Sequence, residues 1–303
     1  MAQDRPLLGI LLMLGFCVLA PVGDSIAKYL GDSIPLLQLL LVRFGFQALL
    51  LVPLFLALRA RLAVSARVLW LTFVRTILHI IGIGAMFTSL RYLPLADAVA
   101  IAFVMPFIML LLGKTFLNEE VGARRLSACL VGFIGTLLVV QPSFADVGAP
   151  ALLPLLVAVV FSLFMLVTRQ IAKEVDPIAL QGLSGGMALP VLALLWLLWP
   201  FDRASIAAIV VPTAFEVGLL LLIGLVGTLA HLLMTWSLRF APSATLAPMQ
   251  YLEIPFATLI GWVVFRDLPN GLAAVGILIT VGAGLYIIYR EHLTSRLAAP
   301  PAV

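Results

Sequence analysis

The segment Ser89-Leu90-Arg91-Tyr92-Leu93-Pro94-Leu95-Ala96 occurs a second time, 148 residues later, as Ser237-Leu238-Arg239-Phe240-Ala241-Pro242-Ser243-Ala244. Five of the eight positions are identical. Other short matches keep the same order along the chain: Met105-Pro106-Phe107 with Ile254-Pro255-Phe256, Ile26-Ala27-Lys28 with Ile171-Ala172-Lys173, and Gln38 with Gln181. A common order of matches indicates an internal duplication.

The composition identifies the class of protein that is duplicated. Of the 303 residues, 63% are hydrophobic and only 11% are charged, and the mean hydropathy is +1.21. Soluble domains are about 45–50% apolar and about 25% charged, so an ordinary soluble enzyme and a disordered protein are excluded. The net charge of +4 does not indicate nucleic-acid binding, because the basic residues are scattered between long apolar runs. Cys17 and Cys129 both lie inside such runs, so we expect no disulfide framework and no metal site.

Ten apolar runs have about the length that a helix needs to cross a bilayer, roughly 20 residues. Turn residues or charges separate them, as at 31–35 and 267–271. We therefore predict an all-α integral membrane protein with ten transmembrane helices. The predicted spans are 7–30, 34–58, 68–90, 95–116, 125–141, 152–172, 178–199, 213–238, 244–265 and 270–289.

The distribution of lysine and arginine predicts the orientation in the membrane. With the amino terminus in the cytoplasm, 12 of the 18 basic residues fall on the inside and four on the outside, while Arg43 and Arg75 lie within spans. Positive charge is concentrated on the cytoplasmic side of membrane proteins. We expect both termini in the cytoplasm, which agrees with an even number of spans.

The duplication divides the chain into two predicted units, 1–148 and 149–303, with five spans each. Because five is odd, the second unit enters the membrane from the opposite side. Inverted repeats of this kind are typical of secondary transporters, which expose a central site alternately to each side.

Several stretches together resemble the drug/metabolite transporter superfamily, EamA group. They are Asp24 to Leu30, Arg43-Phe44, Ser89 to Ala98 with Pro106, Phe116 to Glu120, Val131 to Gly135, and Ala247 to Glu253 with Pro255. The resemblance covers nearly the whole chain and implies ten helices, alternating access, small organic substrates and a bacterial inner membrane. One departure is Arg266-Asp267, where the family usually has a glutamate after the ninth span.

The third span carries the first candidate site. Arg75 and His79 are four residues apart and share a helix face, with His79 near the middle of the membrane. Ionisable groups inside a span are costly and often functional. We expect His79 to contact the substrate or to couple transport to protons, and Arg75 to pair with a substrate carboxylate. The alternative for both is a polar brace between helices.

The ninth span carries the second candidate site. Gln250, Tyr251 and Glu253 lie between Pro248 and Pro255, and prolines kink a helix and free backbone carbonyls. We expect these polar residues to bind substrate, with Glu253 as a proton-carrying carboxyl. Pro106 predicts a matching kink in the fourth span, beside Phe103 as a further substrate contact.

Four more polar or aromatic residues are candidates. Asp24 and Lys28 form a possible gate latch or ion pair on the first span, and Arg43 pairs with a carbonyl or a carboxylate. Trp236 either stacks on a flat solute or lies at the membrane interface.

No phosphate-binding loop and no HExxH or GxSxG motif is present, so we expect no enzyme and no cofactor. The preferred function is secondary transport, with export of neutral or aromatic amino acids as the narrow expectation. Uptake of solutes such as S-adenosylmethionine or riboflavin is the alternative that the resemblance leaves open, and an intramembrane enzyme or scaffold is the alternative of another class. Expected partners are a small-molecule substrate, the lipid bilayer and protons, without nucleic acid, in a monomer or homodimer.

Overall fold

The computed structural model describes residues 5–57, 65–119, 121–140, 148–198, 208–266 and 271–297, and the regular elements in these ranges are all helical. A 3₁₀ turn, Ala149–Leu152, and a π turn, Gly261–Phe265, accompany the α-helices. In chain order the α-helices are α1 (Pro6–Leu30), α2 (Leu36–Ala57), α3 (Ala66–Ser89), α4 (Leu95–Ala102), α5 (Met105–Phe116), α6 (Ala123–Val140), α7 (Leu153–Ile171), α8 (Pro177–Leu198), α9 (Ala214–Phe240), α10 (Ser243–Gln250), α11 (Glu253–Ile260) and α12 (Gly271–Leu297).

Seven segments in the described residues are long and apolar enough to cross a membrane: α1, α2, α3, α4 with α5, α7, α8 and α9. The multi-pass membrane fold is therefore confirmed. The other three predicted spans contain shorter apolar helical stretches, Leu126–Leu138, Glu253–Phe265 and Ala274–Ala283. The helix of the ninth predicted span is interrupted at Tyr251 and Leu252. A count of ten crossings stays a prediction.

The two halves of the chain contain the same interrupted helix. The α4 helix spans Leu95–Ala102 and α10 spans Ser243–Gln250, and each bound is shifted by 148 residues. The following helices begin at Met105 and Glu253, again 148 residues apart. The two described non-glycine residues with positive φ, Asn118 at 51° and Arg266 at 62°, are separated by the same interval.

Proline explains where these helices break. Pro106 lies in the first turn of α5, and Pro255 lies in the first turn of α11. A proline has no N–H to donate to the carbonyl four residues earlier, so Ala102 and Tyr251 lose that acceptor contact. The backbone of Pro248 lies within α10, and its side chain is outside the described part of the structure.

The helices of the two halves pack against each other reciprocally. The most extensive contacts are between α1 and α9, α3 and α7, α2 and α8, and α6 and α12. If the halves are exchanged, α1 becomes α7 and α3 becomes α9, so each pair is converted into another pair or into itself. The packing therefore has approximate two-fold symmetry.

Repeated polar contacts fix the two ends of the bundle. At the first, which we call the Lys28 end, Arg91 donates to the Ile34 carbonyl at 3.0 Å. At the second, the Glu119 end, Arg239 donates to the Val175 carbonyl at 3.1 Å. Because α1 has 25 residues and an α-helix rises about 1.5 Å per residue, these ends lie about 37 Å apart.

Candidate functional site

A cavity of about 80 Å³ lies between the two halves, in the part of the bundle nearer the Lys28 end. Helices α1, α2, α3, α4, α5, α7, α9 and α11 contribute to its walls. Substrate contacts were expected on the third, fourth and ninth spans and at Trp236; the first, second and sixth spans contribute to the cavity as well. This volume is enough for a few water molecules but not for a whole metabolite. Binding of a metabolite therefore requires the helices to separate.

Most of the wall is aromatic or aliphatic. Phe16, Phe87, Phe103 and Phe161 enter from α1, α3, the break after α4, and α7. Flat ring systems pack well against such side chains, in stacked or edge-to-face arrangements. The cavity thus offers apolar surface from four directions, with polar groups confined to a few positions.

Two carboxyl groups face the cavity from different helices. Asp24 on α1 is half-buried, and Glu253 at the start of α11 is 7% exposed. The two are close enough to interact electrostatically, and Asp24 also interacts with Arg43. Among the described residues neither carboxyl has a hydrogen bond or an ion pair within 4.0 Å. Both therefore remain available to a solute or a proton.

Arg43 reaches the same cavity from α2 and is 1% exposed. Its Nη1 donates to Gln47 Oε1 at 3.0 Å, and its Nη2 donates to the Gly227 carbonyl at 3.0 Å. The same Nη2 lies 3.0 Å from His231 Nδ1. Arg43 thus connects α2 to α9 through a backbone carbonyl, which is one of the roles that the sequence predicted for it.

Two histidine rings contact each other at the cavity wall, tilted by 42°. His231 is 5% exposed and lines the cavity, and its ring centroid lies 4.3 Å from that of His79. His79 is fully buried, with ring centroids of Phe164 at 4.7 Å and Phe44 at 5.0 Å. Neither nitrogen of His79 has a hydrogen-bond partner in the described residues. The structure therefore places His79 behind the cavity wall, one ring away from the cavity.

Arg75 lies further toward the Glu119 end and is fully buried. Its Nε donates to Thr168 Oγ1 at 2.8 Å, and its Nη2 donates to Gln181 Oε1 at 3.1 Å and Thr235 Oγ1 at 3.3 Å. It does not line the cavity. In this conformation Arg75 joins α3 to α7, α8 and α9.

Gln250 and Tyr251 are also outside the cavity wall and fully buried. The Gln250 amide lies 3.5 Å from Met109 Sδ and 3.4 Å from Met165 Sδ. Tyr251 donates its hydroxyl to the Cys129 carbonyl at 3.0 Å and packs behind Phe103, with ring centroids 5.7 Å apart. Tyr251 therefore ties the break in the ninth span to α6.

The Asp24–Lys28 ion pair expected from the sequence is not formed. Lys28 Nζ instead donates to the carbonyls of Leu90 at 3.2 Å and Leu93 at 2.6 Å, which follow the end of α3. Those carbonyls have no helical partner, and a cation is favourable there. Trp236 is half-buried and does not line the cavity.

Sequence reasoning identified Phe103 but missed the other three phenylalanines of the cavity wall. Phe16 and Phe161 are 145 residues apart, as are Ile26 and Ile171 in the matching Ile-Ala-Lys segments. Extending that match would have identified both rings. His231, which also lines the cavity, was not among the predicted site residues. No group of three or more histidine, cysteine, aspartate or glutamate side chains that could hold a metal ion exists in the described ranges.

The chain is similar to several bacterial transporters. The chain is similar to a riboflavin transporter of Rhizobium johnstonii, with 29% identity over 85% of this chain and 82% of the relative. It is also similar to an S-adenosylmethionine uptake transporter of Rickettsia bellii, at 25% identity over 90% and 91%. A pseudopaline exporter of Pseudomonas aeruginosa is 27% identical over 86% of this chain and 89% of its own length.

One solved structure, described only as "Crystal structure of protein", has the same fold. It superposes with a TM-score of 0.67 and 21% identity, over 93% of this chain and 96% of its own. The family model for EamA-like transporters matches the chain twice, at residues 7–141 and 149–290. The chain is a multi-pass membrane transporter that belongs to the EamA-like transporter family, within the drug/metabolite transporter superfamily.

Proposed function

We propose that this chain is an alternating-access secondary transporter for a flat heteroaromatic metabolite, with riboflavin as the first candidate. The observation that carries the proposal is a cavity walled by four phenylalanines with two carboxyl groups, Asp24 and Glu253, that have no hydrogen bond or ion pair among the described residues. Rings of the solute pack against the phenylalanines, and its polar edge receives hydrogen bonds from Arg43 or donates them to the carboxyls. The names of the relatives, riboflavin and S-adenosylmethionine transporters, support this solute class.

The architecture in the proposal is ten crossing helices in two inverted units, 1–148 and 149–303. The reciprocal packing of α1 with α9 and of α3 with α7 supports it. Two similar bundles around one cavity can rock between conformations open to either side. We place the protein in a bacterial inner membrane because its relatives are bacterial transporters. The lysine and arginine distribution supports an orientation with both termini in the cytoplasm. The Lys28 end then faces outward.

Binding residues in the proposal are those on the cavity wall: Asp24, Arg43, Phe103, His231 and Glu253. Asp24 and Glu253 also carry protons that couple solute movement to a pH gradient. Two carboxylates close together in a poorly hydrated cavity repel each other, and one proton relieves that repulsion. Of the other residues predicted from the sequence, His79 and Tyr251 support the wall from behind.

Export of an aromatic amino acid is the second candidate. The cavity is small, about 80 Å³, which favours a solute smaller than riboflavin. An ammonium group would face Asp24 and Glu253, and a carboxylate would face Arg43. One relative is named as an exporter, which supports that direction.

The test is transport by purified protein in liposomes. Labelled riboflavin, S-adenosylmethionine and phenylalanine are offered separately, with protein-free liposomes as the control. Saturable riboflavin flux that phenylalanine does not compete supports the first candidate. Saturable phenylalanine flux without riboflavin flux contradicts the first candidate and supports the second, amino-acid export. If no solute moves and a lipid is turned over instead, the chain is an intramembrane enzyme.

A further inference from the structure

A second polar centre lies between the cavity and the Glu119 end. It consists of Arg75, Thr168, Gln181 and Thr235, which we call the Arg75 cluster, and each of its members is 0% exposed. The hydrogen bonds from Arg75 to the other three hold it together. Arg75 has no ion pair with a carboxylate in the described part of the chain. The cluster is therefore a buried positive charge surrounded by neutral polar groups.

The Arg75 cluster has more hydrogen-bonding capacity than it uses. Arg75 Nη1 and Gln181 Nε2 have no partner among the described residues. Gln250, which contacts Met165 about one helical turn before Thr168, has an unpartnered Oε1 as well. A buried polar atom without a partner is costly, and a fold retains few of them. Two unused donors that belong to one cluster point to an acceptor-bearing ligand.

The internal repeat relates the Arg75 cluster to the cavity. One cavity-lining residue of α3 and one cavity-lining residue of α9 each have their repeat counterpart, 148 residues away in sequence, in the Arg75 cluster. Helices α1 and α7 are related by an offset of 145 residues, and at this offset a cavity-lining residue of α1 also has its counterpart in the cluster. The matched pairs are Phe87 with Thr235, Ile223 with Arg75, and Gly23 with Thr168. The Arg75 cluster occupies the position that the cavity would take if the halves exchanged conformations.

Glu119 forms polar contacts that join three parts of the chain at the Glu119 end of the bundle. Its carboxylate accepts hydrogen bonds from Ser243 N at 3.1 Å, Ser243 Oγ at 2.6 Å and Ala244 N at 2.9 Å. It also lies 3.4 Å from Arg169 Nε. These contacts join the turn after α5 to the start of α10 and the end of α7. A carboxylate at the N-terminus of a helix is favourable, so the contact holds α10 and α7 together beyond the cluster.

We propose that the Arg75 cluster, with Gln250, is the solute-binding half-site of the opposite open conformation, and that the Glu119 contacts keep it shut in this one. The half-site takes solutes with an acceptor-rich edge, either ring carbonyls or a carboxylate, because the free groups of the Arg75 cluster are donors on Arg75 and Gln181, and Gln250 adds one free acceptor. This inference rests on the proposed transport function and adds a second station with different chemistry. The cavity presents two carboxyl groups beside Arg43, whereas the second station has a guanidinium with no carboxylate partner among the described residues.

Thiol accessibility tests the proposal without any solute. In a background with Cys17→Ala and Cys129→Ala, Thr235→Cys is exposed to a water-soluble maleimide, with Glu119 intact and with Glu119→Gln. We expect Glu119→Gln to raise the labelling rate at residue 235 about tenfold or more, because it shifts the population toward the open form. Phe87→Cys, the repeat-related position on the cavity side, should not gain reactivity.

Two controls separate opening from unfolding. Leu192→Cys, at a position 0% exposed on α8, should stay unreactive in both backgrounds, and Glu174→Gln should leave residue 235 unreactive. The proposal is wrong if residue 235 stays unreactive with Glu119→Gln, or if residue 192 gains reactivity equally. Labelling as expected, combined with no flux of any solute offered, would instead contradict the proposed function alone.

A transport readout provides the second test. Thr235→Val keeps the side-chain volume and removes one acceptor from the Arg75 cluster. In liposomes of uniform orientation we expect it to raise KM for solute entering from the Glu119 end, with KM from the Lys28 end unchanged. Equal changes from both ends would assign the residue a purely structural role and contradict a one-sided half-site.

Discussion

Arg43 reaches the cavity only because residue 227 is a glycine. A Cβ atom at position 227 would lie 2.6 Å from Arg43 Nε and 2.9 Å from its Cζ. The Gly227 carbonyl in turn accepts a hydrogen bond from Arg43 Nη2 at 3.0 Å. Side chain and backbone therefore fix each other where α2 crosses α9.

Gly227→Ala should displace the Arg43 guanidinium and its contact with His231. We expect overpacking to cost about 1–3 kcal/mol of stability, measured as a lower Tm in detergent, and to reduce transport. Gly218→Ala on the same helix is the matched control, because a Cβ there meets nothing within 4 Å. An equal Tm for the two variants would contradict this close packing.

Glu253→Gln should uncouple transport from protons. The titratable and charged groups nearest the cavity carboxyls are Asp24 and Cys17 from α1, Arg43 from α2 and His231 from α9. We expect the variant to retain solute exchange but to lose accumulation driven by a pH gradient. Gradient-driven accumulation at the wild-type level would show that Glu253 carries no proton.

The control for that experiment is Glu174→Gln. Glu174 is an exposed residue paired with Arg67 at 2.8 Å, remote from the cavity. It should leave both exchange and accumulation unchanged. Asp24→Asn shows whether Glu253 carries the proton alone or together with Asp24. If both carboxyls are needed, accumulation is lost in Asp24→Asn as well as in Glu253→Gln.

Phe103→Ala should weaken solute binding at the cavity wall. Loss of one aromatic contact is worth about 0.5–1.5 kcal/mol, which corresponds to a KM increase of about two- to thirteenfold. Phe116→Ala, on the same predicted span but 66% exposed, should leave KM at the wild-type value. Unchanged KM in Phe103→Ala would remove this ring from the binding site.

Tyr251→Phe tests whether the Tyr251 hydroxyl stabilises the fold behind the cavity wall or binds the solute. The hydroxyl of Tyr251 bonds to the Cys129 carbonyl and does not face the cavity. We expect a stability loss of about 1 kcal/mol with no change in KM. A raised KM at unchanged Tm would restore the substrate contact that the sequence indicated for this residue.

Arg75 and Arg67 lie on the same helix, and replacement by glutamine should lower the stability of the protein much more at Arg75 than at Arg67. Arg67 forms an exposed ion pair with Glu174, and such pairs contribute less than about 1 kcal/mol. Arg75→Gln removes three buried hydrogen bonds of a charged donor, each worth about 1.5–3 kcal/mol. Thermal unfolding in detergent compares them, and equal shifts in Tm would contradict the buried network.

Only part of the candidate site was predictable from the sequence. Phe103, Asp24, Arg43 and Glu253 line the cavity, whereas His79, Arg75 and Gln250 lie outside its wall. All of these stood out for the same reason, a polar group or a break inside an apolar run. Whether such a group faces a cavity depends on the rotation of its helix, which packing against distant helices sets.

The sequence by itself determined the membrane class, the approximate helix positions and the internal repeat. Those are local or additive properties: the length of an apolar run, a proline that cannot donate a hydrogen bond, and residues recurring at an offset of 148. The tertiary structure alone decided that Arg43 is held by Gly227 and His231, and that Glu119 holds Ser243 and Arg169. Except for Arg169, whose distance from Glu119 is 50 residues, these partners are more than 100 residues away in sequence. Such pairings arise only when the two halves pack and expel lipid and water from between them.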